Sequence, residues 1–206
     1  MGWAPEGTVK GRRRRRGLFG GTFDPPHLGH LSVAGDVAEA LDLSEVVWMP
    51  AAEPPHKVSE EVTPAPVRLA MVQAAVSGDP RFRVSTLEVE RGGASYTGDT
   101  LRELCAEAPD IDWHLILGVD QYREFSTWKK PEEVRSLATL VVMNRTGASA
   151  VEAGSRTSDG LVTVAVTRVD ISSTEIRDRV RAGRDISDYV PVAVADIIDS
   201  EGLYRK

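Results

Sequence analysis

The sequence predicts an α/β protein with a doubly wound parallel sheet and a small helical portion at its C-terminus. Short apolar segments alternate with segments of helical periodicity, and several apolar segments end at Pro, Gly or polar clusters. This alternation is typical of a parallel sheet covered by helices on both faces. The chain has 206 residues, enough for one α/β domain. We expect a flexible tail over residues 1–11 and one domain over residues 12–206.

Six apolar segments are predicted strands. They cover residues 17–19, 45–49, 82–87, 113–117, 139–143 and 162–166. In a sheet of this kind ligands bind outside the carboxyl ends of the strands, near the topological switch point. Functional residues are therefore expected in the loops that follow strands. The arginines of residues 12–16 are expected to be solvated, which leaves the first strand short.

Helical periodicity is clearest in three places. Leu31, Ala34, Ala38 and Leu41 share one helix face, and the same spacing recurs over residues 67–75. Near the C-terminus, a proline at position 191 suits the first turn of a helix and a glycine at position 202 suits its end. Residues 144–160 are small and polar, which predicts a mobile surface loop.

Composition excludes several classes of protein. The net charge of -6 gives no reason to expect nucleic acid or an anionic membrane as a partner. No apolar run is as long as a membrane span. The single cysteine, Cys105, cannot form an internal disulfide, and its place in a helical apolar pattern indicates a small buried side chain. We expect a cytoplasmic protein, and a homo-oligomer stays an open alternative.

The first chemical motif follows the first predicted strand. Its sequence is Gly-Gly-Thr-Phe-Asp-Pro-Pro-His-Leu-Gly-His, over residues 20–30. Gly20 and Gly21 allow a ligand to approach the backbone closely, and Thr22 and Phe23 complete the loop. Free amide groups at the start of the helix that follows are suited to phosphate. The motif therefore predicts a phosphate-binding loop.

Two histidines end this motif. His27 and His30 are three positions apart and share a helix face, with Gly29 leaving space between them. Each imidazole can donate a hydrogen bond to a phosphate oxygen, and a protonated ring would also stabilise a leaving group. The P-loop and Gly-x-Gly-x-x-Gly patterns are absent. Two alternatives stay open: a zinc site, which needs a third protein ligand, and a purely structural pair.

The second motif is Ile-Ser-Ser-Thr-Glu-Ile-Arg, over residues 171–177. Ser172 and Glu175 fit a capping box, which predicts a helix start whatever the function. Ser173 and Thr174 add hydroxyl groups beside free amides, and Arg177 brings a planar cation one turn later. Together these groups could grip phosphate oxygens.

The two motifs together resemble the nucleotidylyltransferase superfamily, which is marked by His-x-Gly-His. The longer strings look like those of the bacterial nicotinate-mononucleotide adenylyltransferases, and the similarity runs from residue 17 to residue 204. The resemblance implies a Rossmann-like fold and transfer of AMP from ATP to nicotinate mononucleotide, giving deamido-NAD and pyrophosphate. It also implies that Mg²⁺ accompanies ATP, and that the second motif holds the β- and γ-phosphates opposite His27 and His30.

Further residues are assigned by resemblance alone. Gly118 and Asp120 would contact the ATP side, with the carboxylate on ribose hydroxyls. The acceptor side would use His56, Lys57, Thr97, Trp128 and Arg145. Each local pattern also has an ordinary reading: a rigid turn at residues 54–57, a capped helix start at Thr97 and a half-buried aromatic at Trp128. Where many relatives have Asn, this chain has alanines at positions 51 and 52.

Two other functions stay open at this point. A pantetheine-phosphate adenylyltransferase shares the His-x-Gly-His chemistry but lacks the Pro-Pro-His-Lys, Ser-Tyr-Thr and Phe-x-x-Trp strings found here. A non-catalytic nucleotide-binding regulator would tolerate loss of the two histidines and of Arg177 more readily than an enzyme would. The sequence does not settle whether the acceptor is the acid or the amide mononucleotide.

Overall fold

A computed structural model of the protein describes residues 13–55, 62–144, 155–156, 160–167 and 169–205. The strands are β1 (Arg14–Gly21), β2 (Glu45–Pro50), β3 (Phe82–Val84), β4 (Ile111–Gly118), β5 (Thr139–Asn144), β6 (Ser155–Arg156) and β7 (Val162–Ala165). The helices are α1 (Leu28–Ala40), α2 (Ala65–Val76), α3 (Leu87–Arg91), α4 (Thr97–Glu107), α5 (Val119–Arg123), α6 (Pro131–Leu137), α7 (Ser173–Arg181) and α8 (Val192–Ser200).

The sheet has the strand order β3-β2-β1-β4-β5-β7-β6. Strand pairs are parallel except β6 with β7. The order reverses between β1 and β4, so their carboxyl ends, Gly21 and Gly118, flank the crevice where ligands bind in open α/β sheets.

Apolar side chains cover both faces of the sheet. Phe19 and Trp48 pack with α1 and α2 on one face, whereas Leu18 and Leu115 pack with α4 and α6 on the other. A third cluster joins α2 to α7 and α8, with Ile176 at its centre. This arrangement confirms the predicted doubly wound sheet and its C-terminal helical portion.

The third strand is shorter than predicted. It ends at Val84, and Leu87 begins α3 instead of ending the strand. The Ser85 hydroxyl accepts a hydrogen bond from the Leu87 N–H at 3.3 Å, and the Thr86 carbonyl accepts one from Glu90 at 2.8 Å. These local hydrogen bonds satisfy the backbone groups at the start of a helix. They therefore favour the helix over continuation of the strand, despite the β propensity of the segment.

The first strand is longer than predicted. It begins at Arg14, so the expectation of a short first strand is wrong. The expected solvation of the arginines holds for the Arg14 side chain, which is 62% exposed, but not for that of Arg16, which is 24% exposed. Arg16 lies between β2 and β4 in the sheet and forms an ion pair with Glu45 at 2.9 Å. Arg14 and Arg15 pair with β4, and from Arg16 onward the strand pairs with both β2 and β4. This backbone pairing does not depend on side-chain type.

Two other expectations are only partly covered by the described residues. The tail over residues 1–11 lies outside them, and so do most residues of the predicted 144–160 loop, within which Ser155–Arg156 forms β6. Cys105 is partly exposed instead of fully buried, and desolvation raises the pKa of its thiol. No helix in the described ranges is long and apolar enough to cross a membrane.

Candidate active site

The loop after β1 is held in an unusual backbone conformation. Phe23 has a positive φ of 51°, which L-residues seldom adopt, and the Asp24–Pro25 peptide bond is cis. The Phe23 ring packs against Phe19, His30 and Trp48 with ring centroids 5.5, 5.2 and 5.2 Å away. Buried aromatic contacts of this kind offset the backbone strain at Phe23 and fix the shape of the loop.

The two motif histidines lie at the start of α1. His27 is the residue before the helix, and its ring centroid is 3.7 Å from that of His30. A Cβ added to Gly29 would lie 3.0 Å from His27 Nδ1, so any larger residue would require the His27 ring to shift. The backbone N–H of His27 donates to His30 Nδ1 at 3.2 Å. Because Nδ1 accepts, the ring proton of neutral His30 lies on Nε2.

The second motif packs directly against this loop. Ser173 Oγ donates to the Pro25 carbonyl at 2.8 Å, and Arg177 Nη1 donates to the Asp24 carbonyl at 2.9 Å. Arg177 Nη2 also contacts the Thr174 hydroxyl at 3.3 Å. Ser172 caps the helix start, because its Oγ accepts from the backbone N–H of Glu175 at 3.1 Å, which is the Ser172 half of the predicted capping box.

A cleft opens where the two motifs meet. We call it the loop cavity; its volume is about 260 Å³. It is lined by Phe19, Gly20, Gly21, Thr22, Phe23, Asp24, His30, Gly118, Gln121, Met143, Ser173 and Arg177. Residues more than 140 positions apart in the chain therefore face one space at the switch point of the sheet.

A second cavity of about 300 Å³, the aromatic cavity, adjoins the first. Its walls include Tyr96, Thr97, Trp128 and Lys129, from the start of α4 and the segment before α6. The ammonium of Lys129 lies 4.1 Å from the Tyr96 ring centroid and 3.2 Å from a carboxylate oxygen of Asp99. This cavity combines flat aromatic walls with charged groups at its side.

The two cavities share one wall, formed by Gly20, Gly21, Thr22 and Gln121. Gly20 and Gly21 end β1, Thr22 follows the strand, and Gln121 lies in the first turn of α5. Ligands in the two cavities would thus both contact the segment from Gly20 to Thr22.

Some predicted site residues lie elsewhere. His27 and Thr174 are not among the residues that line the loop cavity; His27 is buried beside His30 and borders a smaller cleft with Gly29. Asp120 lines neither cavity, because its side chain is 92% exposed and pairs with Arg123 at 3.0 Å. Its position on the outer side of α5 follows from the helix turn after Gly118.

Three predicted acceptor residues fall on parts of the chain that are not described. His56, Lys57 and Arg145 lie outside the described residues. Ser172, predicted to bind ATP, is used as the helix cap and does not line the loop cavity.

Sequence reasoning missed Gln121, which lines both cavities and whose Oε1 accepts the Gly118 N–H at 3.0 Å. It also missed Asp24, Arg68 and Tyr204, which form a network beneath the loop. Asp24 stood inside the first motif and could have been found there; Arg68 and Tyr204 look like ordinary helix and C-terminal residues in the sequence.

The described residues offer no ready protein cage for a metal ion. No group of three His, Cys, Asp or Glu side chains that could hold one occurs within them. Asp24 lines the loop cavity, but its Oδ1 accepts the Tyr204 hydroxyl at 2.6 Å and its Oδ2 accepts the Thr63 N–H at 3.2 Å. Its carboxylate is thus engaged in holding the loop.

A larger cavity, of about 920 Å³, opens at the opposite ends of the strands. Arg13, Asp112 and Thr139 line it at the amino ends of β1, β4 and β5. We place the site at the smaller pair of cavities, because both motifs and the carboxyl ends of the strands meet there.

Comparison with known proteins agrees with this architecture. A protein of Thermus thermophilus, named probable nicotinate-nucleotide adenylyltransferase, is 48% identical over 191 residues, which are 93% of this chain and 100% of the relative. A Salinibacter ruber protein of the same name is 46% identical over 189 residues, 92% of this chain and 97% of the relative.

Among solved structures, the Plasmodium falciparum nicotinic acid mononucleotide adenylyltransferase complexed with NaAD has a TM-score of 0.74 at 18% identity, covering 93% of this chain and 97% of that one. This likeness confirms the fold. The family model described as cytidylyltransferase-like matches residues 18–179, which include both motifs and most of the chain. The chain therefore belongs to the cytidylyltransferase-like family.

Proposed function

We propose that this protein is a nicotinate-nucleotide adenylyltransferase, which transfers AMP from ATP to nicotinate mononucleotide and releases pyrophosphate. The observation that carries the proposal is the wall shared by the loop cavity and the aromatic cavity at Gly20, Gly21 and Thr22. A nucleotide triphosphate on one side of this wall and an aromatic mononucleotide on the other would bring their phosphates together. The names of the relatives at 46% and 48% identity support this reading over the alternatives.

On the ATP side, three kinds of donor face the loop cavity. The loop amides and the start of α7 would supply backbone N–H groups, His30 would supply its imidazole, and Arg177 would supply the guanidinium N–H groups that its two hydrogen bonds do not use. Ser173 would act through its backbone N–H, because its hydroxyl already donates to Pro25. In this proposal these groups bind the triphosphate and stabilise the charge on departing pyrophosphate.

On the acceptor side, the aromatic cavity suits a flat pyridine ring. Trp128 and Tyr96 offer ring faces, and the amides at the start of α4, from Thr97 onward, suit a carboxylate. His56, Lys57 and Arg145 remain candidates for the acceptor phosphate, on the resemblance alone. A pantetheine arm has no need of two aromatic walls, which favours the pyridine nucleotide as acceptor.

The reaction forms one bond and breaks one. A phosphate oxygen of the acceptor attacks the α-phosphorus of ATP, and the bond from that phosphorus to the bridging oxygen breaks with its electron pair on pyrophosphate. The attacking oxygen is already anionic near neutral pH, so no general base is needed. The protein contributes position and electrostatic stabilisation, which are the main sources of rate in such transfers.

Magnesium is assigned to the substrate. The side chains described near the loop offer no ligand set for a resident ion, so Mg²⁺ would enter on ATP, held by phosphate oxygens and water.

The test is a product assay with three acceptors. The enzyme is mixed with Mg-ATP and nicotinate mononucleotide, nicotinamide mononucleotide or phosphopantetheine, and both pyrophosphate and the dinucleotide are quantified. We expect turnover with the acid mononucleotide, and a His30→Ala variant with kcat lower by about 10²–10³. Turnover only with phosphopantetheine, or ATP binding without any pyrophosphate release, would reject the proposal.

A further inference from the structure

The loop after β1 rests on a buried polar network of Asp24, Arg68 and Tyr204, in which Asp24 alone lines the loop cavity. Asp24 is 5% exposed and Arg68 is 1% exposed. Tyr204, close to the end of the chain, donates its hydroxyl to Asp24 Oδ1 at 2.6 Å. Neither Arg68 nor Tyr204 lines the loop cavity or the aromatic cavity. Any effect of these two residues on ligands therefore passes through the segments that they hold.

Arg68 connects the loops after β1 and β2. Its guanidinium donates to four backbone carbonyls: Thr22 at 2.7 Å, Ala51 at 2.7 Å, Ala52 at 2.9 Å and Thr63 at 2.7 Å. A planar fork with five donors can do this, whereas an ammonium group cannot. Burial lowers the pKa of Arg68, and the nearby Asp24 acts in the opposite direction. The carboxylate thus compensates the buried cation.

The turn at the end of α8 places Tyr204 in this network. Gly202 has a φ of 62°, its N–H bonds to the Asp199 carbonyl, and the Leu203 N–H bonds to the Ile198 carbonyl at 2.9 Å. These two hydrogen bonds form a Schellman turn, which reverses the chain immediately after the helix. Ile198 is fully buried against α2, so the turn has a fixed base. The phenol consequently reaches a loop 180 positions earlier in the sequence.

From these contacts we infer that Tyr204 and Arg68 are positioning residues for nucleotide binding, which hold the loop after β1 in its binding shape from outside the cavities. Tyr204 acts on Asp24, whose carbonyl also receives Arg177, and therefore on the ATP side. Arg68 acts on Thr22, Ala51 and the shared wall, and therefore on both ligands. The inference rests on the proposed function for the identity of the ligands.

The first experiment compares Tyr204→Phe with Tyr189→Phe. Both changes remove one hydroxyl from the C-terminal region. The Tyr189 ring packs on Arg179, and its backbone carbonyl, which the change keeps, accepts the Leu28 N–H at 2.9 Å. Calorimetry with a non-hydrolysable ATP analogue and Mg²⁺ gives the affinity without any acceptor, and steady-state kinetics give both KM values. For Tyr204→Phe we expect the analogue Kd to rise about five-fold, with the acceptor KM unchanged. For Tyr189→Phe both should stay at wild-type values.

The second experiment uses Arg68→Lys, which keeps the charge but loses the fork. We expect both KM values to rise, by about ten-fold or more, in protein that is folded by circular dichroism. If Tyr204→Phe leaves the analogue Kd unchanged, or weakens both ligands equally, or if folded Arg68→Lys binds both normally, the inference is overturned. Should Arg68→Lys fail to fold, the Tyr204 result alone decides. If the wild-type protein binds the ATP analogue but shows no turnover, the proposed reaction is refuted. The inference on Tyr204 and Arg68 is then decided by the analogue Kd values of the variants.

Discussion

The backbone carbonyl of Asp24 accepts a hydrogen bond of 2.9 Å from Arg177, 153 positions later in the chain. This bond joins the two motif-bearing ends of the site, the loop after β1 and the start of α7, across the switch point of the sheet. The same guanidinium lines the loop cavity. Arg177 therefore has two roles. It holds the loop after β1 through the Asp24 carbonyl, and it places a positive charge at the loop cavity, where a ligand would bind.

Replacing Arg177 with lysine should separate charge from geometry. A single ammonium group cannot reach the Asp24 carbonyl, Thr174 and a phosphate together. We expect kcat to fall by about 10²-fold, the scale for losing one preorganised donor. Arg181→Lys on the same helix, where the arginine pairs with Asp178, is the control and should stay within about two-fold of wild type. Equal kinetics for the two variants would contradict this role.

Gly29→Ala should disturb the histidine pair. The new Cβ would stand 3.0 Å from His27 Nδ1, and the ring contact with His30 would have to change. Gly35→Ala in the same helix places its Cβ 3.6 Å from a flexible arginine end, an ordinary contact. We expect Gly29→Ala to lower kcat at least about ten-fold, whereas Gly35→Ala keeps activity and gains up to about 1 kcal/mol of stability. Steady-state kinetics and thermal melting measure both; normal kcat in Gly29→Ala is the contrary outcome.

Trp128→Ala should weaken the acceptor selectively. The indole lines the aromatic cavity and packs on Phe125 with ring centroids 5.3 Å apart, whereas the α7 side of the site lines the other cavity. We expect the acceptor KM to rise about ten-fold while the ATP KM is unchanged. Tyr122→Phe, which keeps the ring stacked on Phe125, is the control. A parallel rise in both KM values would count against the assignment of this cavity.

The Tyr204 phenol should make stability depend on pH in alkaline solution. Burial and the adjacent Asp24 raise the pKa of Tyr204 well above the ordinary value of about 10. Above that pH the unfolded chain releases the phenol proton while the folded chain keeps it, so unfolding becomes more favourable. We expect wild type to lose up to about 1.4 kcal/mol of unfolding free energy per pH unit above pH ~10 relative to Tyr204→Phe. Urea unfolding at two pH values measures this, and parallel pH profiles for the two proteins would contradict it.

The sheet was predictable because its signals are local. Strand and helix periodicity, and the helix end at Gly202, follow from residues near in sequence, and the structure confirms them. The errors in the predicted strands lay at the ends of β1 and β3. Val84 ends its strand early because Ser85 and Thr86 offer local hydrogen bonds, and Arg14 joins the sheet because backbone pairing overrides side-chain polarity.

The site was predictable only where residue type and spacing carry the chemistry. The glycine loop, His30 and Arg177 were identified from their motifs, and the structure brings them to one cavity. The exposure of Asp120 and the cavity-lining position of Gln121 depend on the direction of one short helix. The sequence does not distinguish which of these two neighbouring side chains faces the cavities, because that depends on how the helix turns after Gly118.

By itself, the sequence determined the α/β class, the two motifs and the resemblance to a family, since each depends on residues that are near one another in the sequence. Only the tertiary structure decided which distant groups meet: Arg177 on Asp24, Tyr204 beneath the loop and Arg68 between two loops. The physical reason is that a buried polar group must find partners wherever the chain brings them, and sequence spacing contains no record of those long-range hydrogen bonds.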